Sequence, residues 1–352
     1  MIAAGSERRG ATSRAAGKSG LRVVVVGATG ALGTEVLSAL AASSLRIAEL
    51  VPAATDRSLG EEVEFRGNLL YVTSDKPSLS GADLVICCAP RAVALEVIRD
   101  ALRAEVPCLD CSGALAASAE VPLAVFGLTP RADQLKPVVA TPSGAAIGWA
   151  LVLHAIDQVA GVSRVVGTVL QPASHAGRAG IDVLSNETIA LLSQNEPLAP
   201  ELFPGPVAFD CLSRTGEFAA TDGHSDAGVF ATVFEQRMRD DLRRVLGEKI
   251  EIAVTGVQVP TFVGEGSALA IETTRPLSVE GALAALEKAP GVELRGTPPS
   301  TRDATNRDVA LVGRVRVDPS HNSSLQLWIA TDGLRLAAAN VVKLAEARLL
   351  AN

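Results

Sequence analysis

Three glycines, Gly27, Gly30 and Gly33, follow the apolar β-branched run Val23–Val26 at three-residue spacing and lead into the helical pattern TEVLSALAAS. This arrangement suits binding of a pyrophosphate. The first glycine permits a tight turn, the second lets the backbone approach the ligand, and the third lets the helix pack closely on its strand. Free N–H groups and the positive helix end then face the phosphates. Within this loop Gly27, Thr29, Gly30, Ala31, Leu32 and Gly33 are the residues expected to meet a dinucleotide.

Other residues offer different chemistry. His175, in Ser174-His175-Ala176-Gly177, stands at a glycine-rich strand end and is a candidate for acid–base work, with an uninvolved loop histidine as the alternative. Glu265, between Gly264 and Gly266, could act as a carboxylate base if burial raised its pKa, or it could be an exposed strand-end residue. Ser143 begins an apolar helix after Thr141-Pro142. No motif places a general base beside it, so it is expected to cap the helix rather than to attack a substrate. His154 is expected to be a packed or surface-facing helix residue, and His224 a loop residue.

The chain has five cysteines, Cys87, Cys88, Cys108, Cys111 and Cys211. An odd count without a secretory signal implies reduced thiols. Cys108-x-x-Cys111 lacks the second pair of ligands that a structural zinc site needs, so structural thiols and no metal are expected.

The 352 residues carry a net charge of −7, and no cluster of basic and aromatic residues follows residue 20. Nucleic acid and membrane are therefore excluded as expected partners, and a small-molecule ligand and a cytoplasmic location are expected. Residues 1–20 are basic and rich in Gly, Ser and Ala without periodicity. They are expected to be a disordered tail, a transit peptide being the alternative, with order beginning near Leu21.

Up to about residue 140 strand and helix signals alternate: LRVVVVG, a helix over 32–42, RIAELVPA, a polar hairpin-like EVEFRGNLLYVT, ADLVICCA, a helix over 91–104, VPCLDCSG and PVVATP. Such alternation implies an α/β fold of Rossmann type with a parallel sheet covered on both faces. Beyond Ser143 a long apolar helix precedes strands of more alternating character, implying a second, α+β domain with a mixed or antiparallel sheet. The expected division is 21–143 plus the C-terminal helix 333–352 for the first domain and 144–332 for the second.

The order of these segments resembles the aspartate-semialdehyde dehydrogenase family over nearly all of residues 21–350. GATGALG resembles the family's opening loop, and VPCLDCSGAL with EVPLAVFGL stands where the family has Asp-Asn-Ser-Ser and VP-x-VVPEVN. QPASHAGRAGID resembles Gln-Ala-x-Ser-Gly-Ala-Gly, Thr232–Arg237 resembles Thr-x-Glu-Glu-x-Lys, VPTFVGEG resembles Val-Pro-x-x-x-Gly-His, and TDGLR resembles Asp-Asn-Leu-Arg. The resemblance implies NADPH reduction of an acyl phosphate to an aldehyde through a thioacyl-enzyme, in a homodimer built on the second domain. It also implies that Gln171 orients substrate, that Arg237 contacts an anion, and that Arg57 and Ser58 lie in the ribose-phosphate segment. An arginine there favours NADP, with NAD the alternative. Glu49 has the right offset for an NAD-type acid but lies inside a strand run.

Four functional positions depart from the family pattern. The nucleophilic cysteine aligns with Gly144 and the catalytic histidine with Glu265. The carboxylate-binding arginine aligns with Gln258, and the phosphate-binding arginine with Ala116. A bidentate Arg contact contributes about 1.5–3 kcal/mol, and deletion of a covalent nucleophile can cost on the order of a million-fold in turnover. Two functions follow as expectations: a family oxidoreductase with impaired or altered activity, or a non-catalytic NADP-binding homologue acting as a sensor or dimer partner. The same departures mark active-site-degenerate paralogues within the family, and among the residues that remain Gln171, His175 and Glu265 are the catalytic candidates, with Arg237 and Gln258 expected at the substrate.

Overall fold

The valines of the first strand explain the first half of the fold. In a computed structural model, which describes residues 20–128, 136–195, 202–219, 231–321 and 323–350, all four of Val23–Val26 are fully buried. Side chains alternate across a strand, so Val23 and Val25 enter one core and Val24 and Val26 another. The strand, β1 (Leu21–Val26), therefore needs cover on both faces. The expected tail lies outside the described residues apart from Gly20.

After β1 come α1 (Ala31–Ala42), β2 (Ile47–Ala54), β3 (Glu62–Phe65), β4 (Asn68–Tyr71), β5 (Thr73–Ser74), β6 (Leu84–Cys87), α2 (Arg91–Arg103), β7 (Cys108–Asp110) and β8 (Val138–Ala140). The sheet order is β5-β2-β1-β6-β7-β8, every pair being parallel. β3 and β4 form the antiparallel hairpin that the polar stretch suggested. Glu49 lies within β2, where it meets Arg22 at 2.9 Å.

The second half contains α3 (Gly144–Ala160), β9 (Val162–Gln171), α4 (Gly177–Leu192), α5 (Val233–Leu246), β10 (Glu251–Gln258), β11 (Glu265–Thr273), α6 (Val279–Glu287), β12 (Val292–Leu294), α7 (Thr301–Ala304), β13 (Ala310–Val317), β14 (Ser324–Thr331) and α8 (Gly333–Leu350). Its sheet, β10-β9-β11-β14-β13-β12, is mixed: the two outermost pairs are parallel and the central ones antiparallel. One face packs under α3, with Trp149 and Ile156 against Val165, Leu269 and Ile329. Trp149 Nε1 donates to Ser267 Oγ at 2.9 Å, satisfying the indole inside this core.

The last helix returns to the first sheet. Ala338, Val341 and Ala345 of α8 join the core that holds Val23 and Leu40. Polar contacts fix its position: Arg335 Nη1 donates to Glu35 (3.2 Å) and to Ser38 (2.9 Å), Ser44 N donates to Glu346 (2.9 Å), and Phe126 N donates to Asn340 Oδ1 (2.8 Å). Among the described residues no helix is long and apolar enough to cross a membrane.

Candidate functional site

Four polar side chains lie in one row across the end of the second sheet. The β10–β9 ladder pairs Gln258 with Gln171, and β11–β14 pairs Glu265 with Thr331. Between them β9–β11 pairs Leu170 with Gly266, so Gln171 and Glu265 continue as neighbours. All four are buried. Residues 171, 258 and 265, far apart in sequence, are thus brought together by strand register, and Thr331 completes the row without having been singled out by any motif.

Gln171 and Glu265 form part of the lining of a cleft of about 160 Å³, whose mouth also includes Leu32, Cys111, His175 and Arg237. Gln258 does not reach it. Its Nε2 donates to the Gln171 carbonyl at 2.9 Å, a bond that supports its neighbour in the row. Gln171 is the opposite case: it is fully buried, and neither Oε1 nor Nε2 has a hydrogen-bond partner among the described residues.

The carboxyl of Glu265 is buried, which corrects the strand-end alternative. Burial pushes its pKa up to about 7, a hydrogen bond from Thr331 Oγ1 (3.3 Å) acts the other way, and Asp332 adds to the rise. It packs against the start of α8, where a Cβ on Gly333 would come within 2.6 Å of Oε1. Gly333 in turn occupies the space beside Gly144: a Cβ on Gly144 would overlap the Gly333 carbonyl oxygen and approach its Cα to 2.4 Å. The N-termini of α3 and α8 therefore converge on the cleft, main chain against main chain. Ser143 is the N-cap of α3, its Oγ accepting from Ala146 N at 3.4 Å.

Arg237 reaches the cleft from α5, a helix begun by a capping box of Thr232 and Glu235. Its guanidinium lies flat over Gly113, the space that a Cβ there would fill, and Nε stands 3.6 Å from Asp241. Asp110 holds the loop that carries Gly113. Fully buried, it accepts from Ser112 N and Leu115 N, each at 2.9 Å. The Asp241 carboxyl is pushed up to about 6 by burial, which the charges of Arg237 and Arg244 oppose. His175 is exposed and meets Phe234 edge-on at 5.4 Å. Desolvation beside Phe234 and then the Arg237 charge lower its pKa.

The glycine loop fits a dinucleotide. Gly27 has φ +85°, and a Cβ there would strike Ala89 N and the Cys88 carbonyl carbon at 2.7 Å. Gly30, the N-cap of α1, supplies no side-chain cap, so the helix start is left for an external acceptor. Thr29 Oγ1 donates to Ser58 Oγ at 3.1 Å, and Arg57 is exposed beside it in a short turn after β2. The remaining candidates lie elsewhere. His154 lines an apolar cavity with Phe126 and Leu151, Ala116 is buried in the core, and His224 lies outside the described residues. Among the described residues no cluster of His, Cys, Asp and Glu is placed to hold a metal ion.

The chain is similar to known proteins over most of its length. Residues 22–134 match the family model for the semialdehyde dehydrogenase NAD binding domain, and residues 153–336 match the semialdehyde dehydrogenase dimerisation domain. An aspartate-semialdehyde dehydrogenase of Synechocystis is 33% identical over 337 residues, covering 93% of this chain and 97% of that protein. The chain belongs to the aspartate-semialdehyde dehydrogenase family. A USG-1 protein homolog of Azotobacter vinelandii is 32% identical, covering 92% of this chain and 96% of that protein. Among solved structures, aspartate semialdehyde dehydrogenase II of Vibrio cholerae complexed with ASA superposes with a TM-score of 0.86 at 28% identity, covering 94% of this chain and 98% of that one.

Within this aspartate-semialdehyde dehydrogenase fold, sequence reasoning missed Thr331, Gly333, Gly113 and Asp110. The signals were present but faint. TDGLR departs from Asp-Asn-Leu-Arg at Gly333, and CSGAL departs from the family segment at Gly113. Both are glycines at places where a side chain would collide with a functional group.

Proposed function

We propose that this chain binds a nicotinamide dinucleotide as a homodimeric, non-thioacylating member of its family, acting as a ligand sensor or a dimer partner. One observation carries this reading: the place of a side chain on residue 144 is taken by the main chain of Gly333. Thioacyl chemistry requires a sulfur there to attack the acyl carbon before phosphate leaves. Ser143 offers no substitute, because its hydroxyl caps α3 and, among the described residues, no base is hydrogen-bonded to it.

Several features support the cofactor and assembly. The Gly27–Gly33 loop would hold the pyrophosphate on the N–H groups of α1, and the dinucleotide would supply hydride chemistry wherever a reducible group lies within reach. Arg57, exposed after β2 beside Asp56, and Ser58 favour the 2′-phosphate of NADP, while Glu49, at the NAD-type offset, is paired to Arg22 inside a strand. The match to a dimerisation domain and the open outer face of β9, where Val166 is exposed, support a homodimer.

Calorimetric titration of purified protein with NADP and NAD, beside a turnover assay with NADP, phosphate and aspartate semialdehyde, tests the proposal. Micromolar NADP binding without turnover is expected. Turnover that disappears in Ser143→Ala or His175→Ala would establish an active oxidoreductase instead.

A further inference from the structure

We propose that Gln171 and Glu265 together form a recognition site for a primary carboxamide. The proposal deepens the preceding one, since it concerns the ligand of the same cleft, but it does not require that a dinucleotide bind.

The unmet hydrogen bonds of Gln171 point to it. An amide carries two donors and an acceptor, and in Gln171, a residue that lines the cleft, all of these are buried without a hydrogen-bond partner among the described residues. Its neighbours in the row do not supply them. Gln258 Nε2 is committed to the Gln171 and Val259 carbonyls, and Glu265 Oε2 accepts from Thr331. A buried polar group is normally satisfied by something, and here that is a ligand or water within the cleft.

The second member of the site is an acid that burial keeps protonated up to about pH 7. Across the row Glu265 faces Gln171 from β9 and Thr331 from β14. From the start of α8 it meets Gly333 and feels the charge of Asp332. Arg237 and His175 line the same cleft from α5 and from the turn before α4, but neither forms an ion pair with it among the described residues. A protonated carboxyl presents one O–H donor and one carbonyl acceptor. Directly opposed residues of an antiparallel pair have Cβ atoms about 5 Å apart, so two planar donor–acceptor groups stand side by side.

The complement of such a pair is a planar group that both donates and accepts. A primary carboxamide does so, giving its carbonyl to the Gln171 N–H or the Glu265 O–H and its N–H₂ to the remaining oxygens. A carboxylate has no donor, so its lone pairs would face Gln171 Oε1 and the Glu265 carbonyl. Above the Glu265 pKa it would also meet a like charge. The cleft, at about 160 Å³, has room for roughly five waters and hence for a short chain carrying this group, with Arg237 available for an anion at its other end.

Isothermal titration of the full chain with succinamate and with succinate at pH 6 and pH 8, with and without NADP, tests this. Succinamate is expected to bind at least about tenfold more tightly than succinate at pH 8, by a margin that narrows at pH 6 as Glu265 gains its proton. Glu265→Gln keeps succinamate binding and removes the pH dependence of the ratio. Gln171→Leu, checked for an unchanged circular dichroism spectrum and a Tm no lower than the parent's, loses the preference. Competition between NADP and succinamate assigns the site to the carboxamide of the nicotinamide ring, and independent binding assigns it to a separate ligand; either supports the proposal. Equal affinities at pH 8, no succinamate binding at 20 mM, or a preference that survives Gln171→Leu overturns it. Failure of NADP to bind while the preference persists removes only the dinucleotide reading.

Discussion

The carbonyl oxygen of Gly333 occupies the space in which a side chain of residue 144 would begin. Two helix starts, α3 and α8, meet there backbone to backbone, and the Glu265 carboxyl closes over the second glycine. The three residues form one steric unit, so a change at any one is felt by the others.

Restoring a sulfur should therefore fail. Gly144→Cys has to displace main chain rather than a flexible side chain, and overpacking of this kind costs about 1–3 kcal/mol. The expected result is a Tm lower by several degrees and no gain of turnover with aspartate semialdehyde and NADP. A variant as stable as the parent and newly active would show that α8 yields at its start.

Gly113→Ala should reproduce the loss of Arg237 at little cost to folding. The new methyl falls on the guanidinium, the far end of a flexible chain, while the positive φ of +74° adds strain of about 1 kcal/mol. Phosphate binding by calorimetry is expected to weaken about tenfold in both Gly113→Ala and Arg237→Ala. The His175 pKa, followed by NMR, should rise in both, since the Arg237 charge is one cause of its depression. An unmoved His175 resonance in Arg237→Ala would show that enclosure alone sets it.

Stability should depend on pH through Glu265. Its folded-state pKa is raised from 4.5 to about 7, so the native state holds a proton that the unfolded chain releases earlier. The stabilisation is fully present below pH 4.5 and is lost as pH rises to about 7, by at most about 3 kcal/mol. Glu265→Gln removes the titration, so its Tm advantage over the parent should be larger at pH 8 than at pH 4.5. A constant difference across that range would mean that the carboxyl titrates normally.

Gln171→Leu should raise stability by about 1 kcal/mol, since two buried polar atoms without protein partners disappear. A higher Tm in chemical and thermal denaturation, together with the lost ligand preference, would mark Gln171 as kept for binding rather than for folding.

The thiols should react in two classes. Cys211 is exposed, while burial pushes Cys87 up to about 12 and Cys108 well above the ordinary thiol range. One thiol is expected to react rapidly with a disulfide reagent at pH 8 in the native protein. Cys87 and Cys108 should react only after denaturation. Cys111, whose pKa is raised first by its hydrogen bond with Cys88 and then by burial, belongs to the slow class.

Local chemistry was readable along the chain. The valine run with its glycines reports a strand buried on both faces and a helix start that awaits an anion, because side-chain alternation and φ preference are short-range effects. The mixed sheet, the capping role of Ser143 and the return of the last helix were legible for the same reason. Whether Gln258 would touch a ligand was not, because that depends on which backbone carbonyls lie beside it. Nor was the alignment of Gln171 with Glu265 and Thr331, which strand register sets across 160 residues of intervening chain. The emptiness of position 144 was visible as a missing sulfur. That the position is filled by the backbone of Gly333 follows from how two helices pack, a long-range steric fact that residue types alone do not encode.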